Sequence, residues 1–221
     1  MRADVQAVFS AAATEYGRGN PLLLIERQET PALLPRLEGR DVLDLGCGDG
    51  HYARLAATLG ARRAIALDAA AAMAALAPPP ALVADGGRLA LAAGSVDVVV
   101  CALMLSYAGD PAAVLREVAR VLRGGGVLVL SDLHPEASAR GWRRSFASDG
   151  RTLDVPAPPL SIERLRAALS AASLAVEDWR EPAVDGRLQP EFERAGRRDF
   201  AALSGAPLLV VVRARKGAVH G

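Results

Sequence analysis

The stretch Val42–Tyr52, VLDLGCGDGHY, sets the strongest constraint on this chain. An apolar run ends in glycines at positions 46, 48 and 50, and a helical pattern from 50 to 59 follows. Glycine lets a backbone turn tightly and approach a ligand with no Cβ in the way. A strand leaving through such a loop into a helix is the opening unit of an α/β sheet, and ligands settle at the carboxyl ends of such strands. The helix start aims its free N–H groups and the positive end of its dipole at the same place.

The alternation continues. Arg63–Leu67 reads as a second strand with Asp68 at its tip. Ala69–Ala77 reads as a helix stopped by Pro78-Pro79-Pro80, and Ala81–Ala84 as a third strand before Asp85-Gly86-Gly87. Val96–Cys101 (VDVVVC) is the β-branched run of a strand buried on both faces. Asp110-Pro111 opens a helix to Leu122, Gly124-Gly125-Gly126 ends it, and Val127–Ser131 is a fifth strand. Ser161–Ser173 and Glu191–Leu203 read as helices, Leu174–Trp179 and Leu208–Arg213 as the last strands. The expectation is a doubly wound, Rossmann-like α/β sheet of seven mostly parallel strands. One domain would span 1–221. Residues 1–37 would form a helical lid, and 137–160 a hairpin insertion over the active site, with Ser148-Asp149-Gly150 as its turn.

Composition narrows the partners. The 221 residues are 51% apolar and 23% charged, with a net charge of +1, as in soluble globular domains. No global field favours a polyanion, so no nucleic-acid partner is expected. No run approaches membrane-spanning length, and Met1–Gly19 lacks an apolar signal core. Two cysteines without such a signal point to a reducing, cytoplasmic setting. Oligomeric state is not legible.

The acids beside the glycine loop suggest what it holds. Asp68 sits at the next strand's tip, where a carboxylate accepts both hydroxyls of a ribose. Asp85, after the third strand, can accept from the exocyclic amine of a purine. With the loop between them, the three positions describe a socket for an adenine nucleoside with a charged tail.

In motif order the chain resembles the class I S-adenosylmethionine-dependent methyltransferases, in the small-molecule group related to ubiquinone and menaquinone biosynthesis. The landmarks are VLDLGCGDG, AIALD, ADGGRLAL, GSVDVVVCALMLSY and PAAVLREVARVLRGGGVLVLSDLHP, and the likeness runs from about Val5 to Arg215. The resemblance implies S-adenosylmethionine as cofactor and methyl transfer to a small organic acceptor by in-line displacement. It implies that Asp44, Gly46, Cys47 and Gly48 line the methionine part, and that Asp68 binds the ribose. Asp85 and Gly86 would hold the adenine, Leu103 would lie beside the sulfonium, and Tyr16 would cover the cofactor. It also implies an antiparallel last strand, Leu208–Arg213, between the fifth strand and Leu174–Trp179.

His134, in Ser131-Asp132-Leu133-His134-Pro135, is the candidate catalytic base, because imidazole titrates near neutrality and the residue leaves the fifth strand on the crevice side. The alternative is a histidine that shapes the turn before Pro135. His51 could meet the methionine carboxylate or simply pack the loop. Cys47 and Cys101 have no activating base nearby in sequence and read as packing residues rather than nucleophiles. Trp142, Arg143, Arg144 and Phe146 fall in the insertion, where selectivity would reside unless the arginines only coat a solvated hairpin.

Cys101-Ala102-Leu103-Met104 stands where amino-group methylases of DNA bases or protein glutamine carry an Asn/Asp-Pro-Pro-aromatic motif, and no metal site is expected. Two competing readings are a nicotinamide-dependent oxidoreductase, which His51 in the third glycine's place counts against, and a non-catalytic protein that binds S-adenosylmethionine.

Overall fold

The computed structural model describes residues 3–13, 16, 20–142, 144–148, 151–155 and 158–217. Helix α1 (Ala3–Ala12) is followed by α2 (Pro21–Glu29), which opens as its sequence dictates. The Asn20 side chain accepts from Leu22 N at 3.0 Å, and Pro21 occupies the first turn, where its missing N–H costs nothing. The β1 strand (Asp41–Leu45) is buried along its whole length. Then come α3 (His51–Thr58), β2 (Arg63–Asp68), α4 (Ala71–Ala74), β3 (Ala81–Val83) and β4 (Val96–Ala102). The α5 helix (Pro111–Val121) is capped by Asp110, which accepts from Ala112 N and Ala113 N. It leads into β5 (Leu122–Leu133), α6 (Pro135–Ala139) and the hairpin of β6 (Ser145–Ser148) and β7 (Arg151–Asp154). The chain ends with α7 (Ile162–Ala171), β8 (Leu174–Arg180), α8 (Gln189–Arg194), α9 (Phe200–Leu203) and β9 (Leu209–Lys216).

Seven strands form one sheet in the order β3-β2-β1-β4-β5-β9-β8. The first five run parallel, and β9 lies antiparallel between β5 and β8, as the resemblance implied. Strand order reverses between β1 and β4, so the crevice opens at their carboxyl ends. Alternation along the strands divides the core. Leu43, Leu45, Val99, Cys101, Leu128 and Leu130 face α5 and α7. Val42, Val98 and Val100 face α3, while Val127, Val129, Leu209 and Val211 face α2 and α8.

Three expectations need correction. The helix over Ala69–Ala77 is a single turn, Ala71–Ala74, because the three prolines that follow supply no N–H to extend it. Gly124–Gly126 do not end α5. The helix stops at Val121, Leu122 already has extended backbone, and pairing jumps from Val96↔Leu122 to Val98↔Val127. The glycines form a bulge inside β5, where five residues advance against two. The helix expected over Glu191–Leu203 breaks into α8 and α9, with Gly196 at φ 66 and Arg197 N bonded back to Phe192 O. The hairpin pairs Ser148 with Arg151, and its expected turn, Asp149-Gly150, lies outside the described residues. Elements of the hairpin pack against α1.

Candidate functional site

The glycine loop folds over the tip of β2. Gly46 N and Cys47 N both donate to Leu67 O, at 2.7 and 3.0 Å. Gly46 has φ +71, and a Cβ there would lie 2.6 Å from Met104 Cβ and closer still to its Cγ. Gly48 has φ +53, and a Cβ there would come 3.1 Å from the Tyr16 ring. Bare backbone at these two positions thus faces Met104 on one side and Tyr16 on the other. A Cβ on Gly86 would also meet Met104, 3.2 Å from its Cε, so the residue after β3 shares this wall. Sequence reasoning chose Leu103 and passed over Met104, its neighbour.

Two buried acids hold the loop. Asp68, at the end of β2, accepts Gly48 N on Oδ2 at 3.0 Å and Ala70 N on Oδ1 at 2.8 Å. The carboxylate also meets the Ala69 N–H and still keeps accepting capacity for a ligand hydroxyl. Asp44, 2% exposed, accepts Ala53 N from the first turn of α3 at 2.9 Å. Burial pushes its carboxyl up to about 8, aided by the nearby charges of Asp49, Glu26 and Asp68. Burial likewise raises Asp68 and Glu26. Asp85 is exposed, and its Oδ1 accepts Gly87 N at 2.8 Å.

The α2 helix supplies residues that sequence reasoning missed. Arg27 reaches the loop's Asp49 at 2.9 Å, and Glu26 accepts Tyr52 Oη at 2.6 Å. Their signal, a buried Glu26 beside a half-buried Arg27, has no short-range pattern. At the end of β4, Leu103 has φ 52, and its N–H bonds Ser131 O at 2.9 Å. Cys47 and Cys101 are buried, and burial drives both thiols far above their ordinary range, consistent with packing roles. His51 lies edge-on to Tyr52, at 4.9 Å between ring centres.

The remaining candidates lie beyond β5. Nδ1 of His134 accepts Glu136 N at 3.2 Å and caps α6, and Nε2 lies 3.8 Å from Glu181 Oε2. Burial lowers its pKa, favouring the neutral ring that such a cap needs. The geometry is that of the turn-shaping alternative: with Nδ1 accepting, the neutral ring carries its hydrogen on Nε2, on the side of Glu181, and its one basic lone pair is taken by the cap. Arg144 does not coat a solvated hairpin: it is buried against Asp132, donates to Ser106 Oγ at 2.6 Å and stacks over Tyr107 at 4.7 Å. Trp142 packs edge-on against Phe192 and under Arg197. Arg143 and the side chain of Phe146 fall outside the described residues.

The donor set tests the ligand. Asp44, Asp68 and Glu26 are buried, and the nearest arginine, Arg27, is paired with Asp49. A ligand bringing positive charge to the crevice lowers the cost of ionising those acids, and one bringing a pyrophosphate raises it. S-adenosylmethionine, with its ammonium and sulfonium, fits; a nicotinamide dinucleotide does not.

Comparison with known proteins agrees. Residues 43–130 match the model of a methyltransferase domain. The crystal structure of an S-adenosylmethionine-dependent methyltransferase from Mesorhizobium loti superposes with a TM-score of 0.67 at 26% identity, over 86% of this chain and 97% of that one. Residues 43–130 thus carry a methyltransferase domain, on the fold of an S-adenosylmethionine-dependent methyltransferase. Malonyl-[acyl-carrier protein] O-methyltransferase of Laribacter hongkongensis is 35% identical over 171 residues, 68% of this chain and 57% of that protein. Ubiquinone biosynthesis O-methyltransferase of Ralstonia nicotianae is 34% identical over 129 residues, 54% of this chain and 52% of that protein. The chain spans 38% to 58% of the length of such curated relatives. No helix among its described residues is long and apolar enough to cross a membrane.

Proposed function

We propose that this chain transfers a methyl group from S-adenosylmethionine to an oxygen of a small organic acceptor. Oxygen is the acceptor atom named for both O-methyltransferase relatives. Bound S-adenosylmethionine supplies an electrophilic methyl on a sulfonium with a neutral thioether as leaving group. The protein's task is alignment and exclusion of water, a positioning effect of up to about 7–11 kcal/mol.

In this reading Asp68 takes the ribose hydroxyls on its spare lone pairs. Asp85 takes the adenine amine, and the Gly86 N–H meets the ring edge. Asp44, Gly46, Cys47 and Gly48 line the methionine end, Tyr16 covers it, and Leu103 flanks the sulfur. His134 serves first as a helix cap, and it takes a proton from the acceptor only by releasing that cap and offering Nδ1. Residues 1–37 act as the lid, and the hairpin insertion 137–160 borders the acceptor.

The observation that carries the reading is the glycine loop pinned to buried Asp68, with Asp44 beneath it and no cation paired with either acid among the described residues. Calorimetry with S-adenosylhomocysteine and with NAD tests it. Heat with the first and none with the second is expected, and binding of NAD alone, or of neither, overturns it.

A further inference from the structure

Glu26 is the buried acid for which methyl transfer itself has no use. It lies on α2 at 1% exposure, and two hydroxyls converge on its Oε1: Tyr52 Oη at 2.6 Å and Ser131 Oγ at 2.9 Å. Tyr52 sits in the first turn of α3, directly behind the glycine loop. Ser131 lies on β5, and its carbonyl oxygen holds the N–H of Leu103, the left-handed residue at the end of β4. One carboxyl therefore bridges both walls of the crevice.

Such a carboxyl is a poor choice for a strut alone. A glutamine would accept the same two hydroxyls and avoid the cost of burying charge. The groups facing it are Arg27 on its own helix, Tyr52 on α3 and Asp44 on β1. Asp44 in turn faces Asp49 of the loop and Asp68 of β2. Arg27 is already bound to Asp49, so the field of Glu26 and Asp44 together is left for the ligand.

We propose that Glu26 is a positioning residue that sets the charge of the methyl-donor berth, so that the berth prefers the sulfonium donor over the neutral thioether left after transfer. The inference rests on the cofactor reading above and adds a consequence: when the methyl departs, the sulfur loses its positive charge and the berth loses part of its hold on the product. Protonation of these acids erases the preference. Burial raises Glu26 and pushes Asp44 up to about 8, so both give up their protons above the ordinary carboxylate range and the preference grows as pH rises.

The test is calorimetry of the full chain with S-adenosylmethionine and with S-adenosylhomocysteine at pH 6, 7.5 and 9. In the parent, the ratio of the two affinities climbs with pH. Glu26→Gln keeps the acceptor atom and removes only the charge, so the ratio falls by about fivefold at the upper pH and its climb flattens. Tyr52→Phe keeps the charge and strips a donor that stabilises it, so the climb moves to higher pH. That variant carries the test should Glu26→Gln fail to fold. Equal loss of both affinities in Glu26→Gln, or no change in either, reduces Glu26 to a strut and overturns the inference. A parent that binds neither ligand overturns the cofactor reading instead.

Discussion

Replacing Gly46 with alanine separates two costs that a glycine loop usually confounds. Gly46 has φ +71, and Gly39, in the turn before β1, has φ +70, so alanine meets the same backbone strain at both. Nothing lies within 4 Å of a Cβ at Gly39, whereas at Gly46 it would lie 2.6 Å from Met104 Cβ. Left-handed backbone costs an alanine about 1–2 kcal/mol, which is the whole effect expected for Gly39→Ala. Overpacking adds about 1–3 kcal/mol, so Gly46→Ala should lose about 2–5 kcal/mol. Met104 cannot swing clear, because its Cβ is fixed by the backbone. Met104→Ala in the Gly46→Ala background should therefore restore only the share due to Cγ. Urea unfolding followed by the fluorescence of Trp142 and Trp179 reads these differences, and an extra 2 kcal/mol moves the midpoint by about 1 M. S-adenosylhomocysteine affinity should collapse in Gly46→Ala and persist in Gly39→Ala. Equal midpoint shifts for the two variants would refute the claim that close approach, and not backbone freedom alone, requires glycine at 46.

Three further expectations follow from the same geometry. Asp44 titrates near 3.8 when unfolded and is pushed up to about 8 when folded. Between those values the folded chain keeps a proton that the unfolded chain has released, so ligand-free stability falls as pH rises, by at most about 1.4 kcal/mol per unit. Asp44→Asn should then gain on the parent between pH 5 and 8 in urea unfolding, a comparison in which the histidines cancel; parallel curves would sink the assignment. Asp68→Ala should weaken S-adenosylhomocysteine binding by about 1–3 kcal/mol in calorimetry, with unchanged affinity counting against a ribose role. His134→Ala should cost about 1 kcal/mol of stability through the lost cap, while His134→Asn, which can still cap, should keep both stability and turnover. A hundredfold or greater fall in turnover for a stable His134→Asn would instead make the imidazole the general base.

Legibility followed the range of the interactions. The strands β1, β2 and β4 were readable because buried parallel strands are continuous apolar runs, and the loop after β1 because glycine at alternate positions has few other uses. The cap of α5 was local to Asp110 and Pro111, and so was found. Gly124–Gly126 misled because glycine marks a helix stop and a strand bulge alike, and only the pairing with β4 distinguishes them. Tertiary contact also split the helix after Leu188: Arg197 turns back to lie over Trp142 and Phe192, a stacking that periodicity does not encode.

The site divides in the same way. Asp44, Asp68 and the glycines lie within about one βαβ unit, where sequence spacing is close to spatial order. Glu26 reaches Ser131 across 105 positions and Tyr52 across 26, and no pattern in α2 sets it apart from a solvated glutamate. Arg144 is the converse case: its sequence context leaves selectivity and a solvated hairpin both open, and only Asp132, 12 positions away and buried against it, excludes the second. Charged residues are the ones whose role depends most on which charges face them, because burying one unpaired costs several kcal/mol. The main chain of this crevice could therefore be read from sequence, but its electrostatics could not. It is the electrostatics, three buried acids whose neighbour Arg27 is already paired with Asp49, that favour a sulfonium ligand over the many others a glycine loop can hold.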